Sequence, residues 1–142
     1  MVLDANILLY AVDASSDHHA TAATWLTQAL NGRRRIAIPA QSVTAFVRIA
    51  THPRVSANPL TGSQAWGFVS DWLAADPAWV PPTSERTLAI FGEILSRNGV
   101  TGNLATDALL AAHAVEHGLP VVTADSDFAR FPEVETINPL VG

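Results

Sequence analysis

The chain contains no cysteine and no lysine, and each absence excludes a class of chemistry. Without cysteine there is no disulfide framework, no thiolate zinc site and no catalytic thiol. Without lysine there is no Schiff-base catalysis and no Walker A phosphate loop. All 8 basic residues are therefore arginines, and any strong positive charge offered to a substrate must come from them.

Long apolar runs are also missing, since acidic or polar residues interrupt every stretch well before the roughly 20 residues that a membrane-spanning helix needs. The first residues, MVLD, carry no basic segment of the kind that opens a signal peptide. We therefore expect no membrane association and a cytoplasmic location.

Charge is sparse, with 15% charged residues and a net charge of −5 at pH 7. An acidic balance disfavours a broad nucleic-acid surface, because phosphate contacts require local positive charge. The arginines are nevertheless grouped, which keeps Arg33, Arg34, Arg35, Arg48 and Arg54 as candidates for phosphate contact.

With 142 residues, 49% of them apolar, the chain is long enough for one sizeable core, and we expect a single domain over residues 1–142. Short β-rich runs at 1–4, 35–39, 79–80, 119–123 and 134–137 alternate with amphipathic helical patterns at 18–30, 42–50, 61–75, 84–98 and 104–117. This alternation predicts the α/β class, with a parallel sheet covered by helices on both faces.

Carboxylates follow two of the predicted strands. Asp4 ends the first strand and Asp125 comes just after the fourth, while Asp107 lies in the first turn of the last helix. In a parallel sheet, ligands bind beyond the carboxyl ends of the strands. Asp107 has an alternative structural explanation, because a carboxylate in the first turn is stabilised by the helix dipole.

Asp4 lies within an apolar run, so its charge must lose water and needs a partner, and no arginine is near it in sequence. A divalent cation is the simplest partner for converging carboxylates, and oxygen ligands favour Mg²⁺ or Mn²⁺ over zinc. The histidines predict no zinc site: for His113 and His117, on one helix face, we expect contact with solvent or another subunit.

Three segments resemble the signature blocks of PIN-domain ribonucleases, and of VapC toxins among them. They are VLDANILLY at 2–10, GNLATDALLAA at 102–112 and TADSDF at 123–128. The similarity extends from residue 1 to about residue 139. Each block is weakly specific by itself, whereas the three together in this order are strongly specific.

The resemblance implies a PIN-like α/β/α sandwich around a central parallel sheet and a Mg²⁺- or Mn²⁺-dependent endoribonuclease toxin acting on tRNA, rRNA or mRNA. It implies a homodimer neutralised by a VapB-type antitoxin. By motif, Asp4, Asp107 and Asp125 would hold the metal.

One position departs from the family pattern. The glutamate that the family carries in the helix after the second strand corresponds to Ala45, in TAFVR at 44–48. Asp127 could supply a further oxygen, or it could cap the turn that follows it. Asn6 and Thr123 would orient the carboxylates by hydrogen bonds, although Asn6 could instead cap the helix after the first strand.

Because of Ala45, a second function stays open: a PIN-like module with a weakened metal site that binds antitoxin or RNA with little or no nuclease activity. A phosphatase of the haloacid dehalogenase type is excluded, since it needs a second aspartate where Asn6 stands and a lysine.

Overall fold

A central sheet of five parallel strands organises the protein in the computed structural model, which describes residues 1–141. Gly142, the last residue of the predicted domain, lies outside the described residues. The strands are β1 (Val2–Leu3), β2 (Ile36–Ala37), β3 (Ala78–Trp79), β4 (Val121–Val122) and β5 (Thr136–Ile137). Their order is β3-β2-β1-β4-β5, with Val2 paired to Val121 and Leu3 to Val122. The predicted parallel α/β sheet is confirmed.

Helices cover both faces of this sheet. They are α1 (Ala5–Val12), α2 (His19–Leu30), α3 (Ala40–Ala50), α4 (Gly62–Ala74), α5 (Glu85–Asn98) and α6 (Leu104–His117), with a 3₁₀ helix, η1 (Ser126–Arg130), after β4. Side chains from α1 to α4 form one hydrophobic core and side chains from α5, α6 and η1 form another. The layers are therefore α/β/α, as predicted.

Successive strand residues point to opposite faces, and this alternation divides the two cores. Leu3, Ile36 and Val122 belong to the core under α1–α4, whereas Val2, Ala37 and Val121 belong to the core under α5 and α6. All six are fully buried, which explains why the strands read as short continuous apolar runs.

Helix boundaries follow local signals in some places and depart from them in others. Ser84 caps α5 through a reciprocal pair of bonds with Thr87, and Gly118 ends α6 with φ of 63°. By contrast α3 begins at Ala40, two residues before the predicted start, and the carbonyl of extended Pro39 accepts the first helical hydrogen bonds from the amides of Ser42 and Val43. Among residues 1–141, no helix is long and apolar enough to cross a membrane.

The carboxyl ends of three strands lie close to the start of α6 at one edge of the sheet. Asp4 follows β1 and Thr123 follows β4, while Gln41 follows β2 and donates from Nε2 to the carbonyl of Thr106 at 2.9 Å. The carboxyl ends of three strands and the start of α6 therefore meet there, and we call this place the carboxyl edge.

Candidate metal centre

Three carboxylates converge at the carboxyl edge. Asp107 stands in the first turn of α6, Asp125 immediately precedes η1, and Asp127 lies within it. Each offers an oxygen, and these oxygens lie within 4.8 Å of one another. Asp107 and Asp125 are partly buried and Asp127 is exposed, so the group opens to solvent on one side.

Asp4 lies beside this group and is held by two donors. Its Oδ2 accepts from the Thr123 hydroxyl at 2.8 Å and from Asn6 Nδ2 at 3.2 Å. Its charge acts on Asp107, and the charge of Asp125 acts on it. The structure thus brings all four aspartates singled out from the sequence to one edge, with Asp127 in the compact group and Asp4 at its side.

Asn6 and Thr123 connect the loops after β1 and β4. Asn6 Nδ2 also donates to Thr123 Oγ1 at 3.1 Å, and Asn6 Oδ1 accepts from the amide of Ala124 at 3.2 Å. Thr123 Oγ1 in turn accepts from the amide of Asp125 at 3.0 Å. Asn6 is the second residue of α1 and not its cap, so its side chain serves the network around Asp4.

The turn after β4 is capped by Asp125. Asp125 is the N-cap residue of η1, and its Oδ1 accepts a hydrogen bond from the amide of Asp127 at 2.8 Å. The alternative in which Asp127 caps this turn is therefore wrong, because Asp127 is inside η1 and its carboxylate belongs to the acidic group.

Burial and the charges of neighbouring acids disfavour the charged forms of Asp107 and Asp4. Burial, followed by the charges of Asp4, Asp125 and Asp127, raises the pKa of Asp107 to about 6. Burial also raises the pKa of Asp4, against the opposing effect of the Thr123 hydroxyl. Among residues 1–141, the ion pair between an arginine and a carboxylate is Arg97–Glu133, so no arginine neutralises the aspartates.

A divalent cation fits this donor set. Hard oxygen ligands without thiolate or imidazole are what Mg²⁺ and Mn²⁺ bind, and the group contains only carboxylates. A cation would also remove the repulsion that raises the pKa of Asp107. The residues present are therefore compatible with the metal that the sequence predicts.

Gln41 was missed by sequence reasoning. It lies in the first turn of α3, one turn before Ala45 and on the same side of the helix. Its Nε2 bonds to Thr106, the neighbour of Asp107, and its Oε1 is buried without a hydrogen-bond partner among the described residues. Its place four residues after β2, near the carboxyl end of that strand, was the signal that could have identified it.

The fold places the candidate arginines at 33–35 away from the aspartates. Arg33, Arg34 and Arg35 precede β2, so they lie at the opposite edge of the sheet from the aspartates, and Arg35 stacks over the Trp79 ring at 5.4 Å. Arg130 ends η1, three residues after Asp127, and is exposed. The fold therefore carries Arg130 on the same short segment as two of the acids.

Comparison with known proteins agrees with this geometry. The PIN domain family model matches residues 1–134. Ribonuclease VapC37 of Mycobacterium tuberculosis is 41% identical over 138 residues, which are 97% of this chain and 96% of that protein. Ribonuclease VapC33 of the same species is 34% identical over 140 residues, 99% of this chain and 98% of that protein.

Among solved structures, VapBC2 from Rickettsia felis, bound to a DNA fragment from its promoter, aligns with a TM-score of 0.70 at 22% identity and covers 96% of each chain. VapBC from Salmonella typhimurium, bound to DNA, aligns with a TM-score of 0.67 at 20% identity, covering 97% of this chain and 96% of the other. At these identities the likeness establishes the fold.

Proposed function

Because this chain belongs to the PIN-domain family and, within it, to the VapC ribonucleases, we propose that it is a Mg²⁺- or Mn²⁺-dependent endoribonuclease toxin. It hydrolyses phosphodiester bonds of RNA, and its partner is a VapB-type antitoxin. Cellular RNA is the substrate, so the cytoplasm is the location we propose.

The observation that carries the proposal is the convergence of Asp107, Asp125 and Asp127 within 4.8 Å, beside Asp4 and without a neutralising arginine. Uncompensated carboxylates that repel one another are unfavourable for stability. A cation-binding role accounts for their arrangement at the carboxyl edge, where the loops after two strands and the start of one helix meet.

Asp4, Asp107 and Asp125 are the ligands we propose for the metal, and we propose that Asp127 adds a fourth oxygen, directly or through water. The ion, when bound, would lower the pKa of a water and stabilise negative charge on the scissile phosphate. The carboxylates hold the cation and are not themselves the nucleophile.

The other residues of the site hold it in place and admit the substrate. Thr123 and Asn6 fix the orientation of the Asp4 carboxylate through bonds of 2.8 and 3.2 Å. Gln41 ties the start of α3 to the residue before Asp107. Arg130, exposed at the end of η1, is the arginine we propose for contact with an RNA phosphate.

The antitoxin and a second copy of the chain complete the proposed assembly. Solved neighbours are described as VapBC complexes and as a toxin–antitoxin complex from Klebsiella pneumoniae. An acidic group without an internal cation suits an arginine supplied by such a partner, because guanidinium and carboxylate form two parallel hydrogen bonds. The homodimer is tested by light scattering on the purified chain.

A binding module with little nuclease activity is the second candidate, and Ala45 favours it, because the family's glutamate is missing there. The two functions differ in one measurable property. A binding module would bind antitoxin or RNA without cutting RNA when Mg²⁺ or Mn²⁺ is added.

Sequencing of RNA 5′ ends from cells that produce the protein tests the proposed function. We expect new 5′ ends at a restricted set of sites, absent from cells that produce Asp4→Asn at the same level. An unchanged 5′-end profile in cells with the wild-type protein, free of antitoxin, would favour the binding module.

A further inference from the structure

A second group of possible metal ligands lies on α6. His113, Glu116 and His117 are spaced by three and four residues and therefore share one face of the helix. Each offers one ligand atom, and these atoms lie within 4.8 Å of one another. Glu116 Oε1 and His117 Nε2 are 3.8 Å apart.

This group is separate from the aspartates. Glu116 follows Asp107 by nine residues, so it lies roughly 13 Å farther along the axis and about half a turn around the helix. The surroundings of the group are also different, since the ring of His117 packs against Trp79 of β3 and Glu116 bonds to Thr87 of α5. The chemistry differs too, because two of the three donors are imidazoles.

His113 supplies the strongest evidence for a ligand. The residue is 1% exposed, and its Nε2 lies 3.2 Å from the hydroxyl of Thr83. Its Nδ1 and the Nε2 of His117 are both buried and have no hydrogen-bond partner among the described residues. Two buried ring nitrogens left unpaired beside a carboxylate call for an additional atom.

Three hydroxyl groups form hydrogen bonds with the side chains of this group. Thr87 donates to Glu116 Oε1 at 2.5 Å, and Ser84 approaches Glu116 Oε2 at 3.4 Å. In the tautomer in which Nε2–H of His113 donates to the Thr83 hydroxyl, Nδ1 keeps the lone pair that a metal needs. Hydrogen bonds of this kind from surrounding residues are typical of metal-binding imidazoles and carboxylates.

We propose that His113, Glu116 and His117 bind a zinc ion, with water in the fourth position. Two imidazoles and one carboxylate are a zinc ligand set, with bonds of about 2.0–2.2 Å. All three ligands lie on α6, and the start of α5 meets the site through the hydroxyls of Ser84 and Thr87, which bond to Glu116.

Zinc titration of purified protein tests this site without measuring nuclease activity. To keep zinc from the aspartates, Asp107→Asn is the background for every variant. We expect this protein to bind Zn²⁺ and to melt at a higher temperature with it. His117→Gln, at a side chain that is 27% exposed, should weaken Zn²⁺ binding at least tenfold, and His113→Gln should do the same.

His18→Gln is the matched control, because His18 is exposed and lies outside both groups, and it should bind Zn²⁺ unchanged. Circular dichroism checks the fold; if His113→Gln does not fold, His117→Gln decides. Co²⁺ absorption gives a second readout, with tetrahedral bands expected only when both histidines are present. Zn²⁺ affinity unaffected by His117→Gln, or no Zn²⁺ binding in the Asp107→Asn background, would overturn the proposal and leave a buried water as the missing partner.

Discussion

Burial and the charges of neighbouring acids both raise the pKa of Asp107. Its carboxyl group faces three other aspartates, and its pKa is raised to about 6. Near neutral pH the folded protein without metal therefore carries an ionised group that its surroundings disfavour. This conflict is typical of sites whose ligand is a cation.

Replacing Asp107 by asparagine should stabilise the metal-free protein. The folded state keeps a proton that the unfolded chain has lost above its pKa of 3.8. Stability therefore falls as pH rises from about 4 through 6. Asp107→Asn should remove this loss and raise stability at pH 7.5 by about 1–2 kcal/mol after solvent screening, with no gain below pH 4.

Thermal melts in EDTA at pH 4 and pH 7.5 measure this effect, with Asp71→Asn at an exposed position of α4 as the control. An Asp107→Asn protein that melts well below wild type at pH 7.5 would mean that Asp107 has a structural role.

Thr123 should matter through its hydroxyl and not through its size. The side chain is 3% exposed and donates to Asp4. Thr123→Val, which keeps the shape, should cost about 1.5–3 kcal/mol at pH 7.5, the usual value for a hydrogen bond to a charged group. Thr123→Ser should restore most of it. Urea unfolding of the two variants compares them, and equal stabilities would show that the hydroxyl does not support Asp4.

At the scale of the elements, α3 determines how many acids the site contains. Ala45 lies one turn after Gln41, whose amide contacts the residue preceding Asp107. Helical side chains lean toward the N-terminus of their helix. A longer acidic side chain at position 45 should therefore extend toward the carboxyl edge.

Ala45→Glu should tighten Mn²⁺ binding by about tenfold, or 1.4 kcal/mol, because an added carboxylate favours a nearby cation. It should also lower the melting temperature of the metal-free protein, where the new charge meets only other acids. Isothermal titration with Mn²⁺ measures the affinity, and Thr44→Glu, exposed on the adjacent position, is the control. Identical affinity and stoichiometry for Ala45→Glu and wild type would show that residue 45 does not face the acids.

Local signals in the sequence predict most elements but not the geometry of the turns between them. The apolar run around Val121 locates β4, because a buried strand requires apolar residues. Gly118 locates the end of α6, because a left-handed backbone favours glycine. The sequence does not identify the cap of η1, because Asp125 and Asp127 are both residues of the type that caps helices. In the structure, Asp125 is the cap and accepts from the amide of Asp127.

For the whole molecule, the distance in sequence between the acids limits what can be predicted. The ends of β1 and β4 could be placed at one edge from the parallel topology, which brings Asp4 and Asp125 together. Asp107 lies beside them because α6 packs against the sheet, and the spacing of residues in the sequence does not predict that packing. Only the family resemblance placed Asp107 with the other two aspartates. The sequence predicts that His113 contacts solvent or another subunit. This prediction is wrong, because His113 is buried under α5 and the loop that precedes it.

The antitoxin should compete with metal for the carboxyl edge. If a partner arginine enters the acidic group, it occupies the place of the cation and forms charge-assisted hydrogen bonds with the same oxygens. The apparent Kd of the toxin–antitoxin complex should then rise at least tenfold between EDTA and saturating Mn²⁺, as measured by surface plasmon resonance. An affinity that is indifferent to Mn²⁺ would contradict this arrangement.

Cleavage of purified RNA by purified protein tests the proposed metal site, with wild type and Asp107→Asn compared in EDTA and in Mn²⁺. Wild type should cleave only with Mn²⁺, and a folded Asp107→Asn protein should cleave at least a hundredfold less. When Mn²⁺ is below saturation, activity should also fall as pH drops through about 6, because protons then compete with the metal for Asp107. Equal cleavage by the two proteins, or cleavage by wild type in EDTA, would show that these carboxylates are not the catalytic metal site.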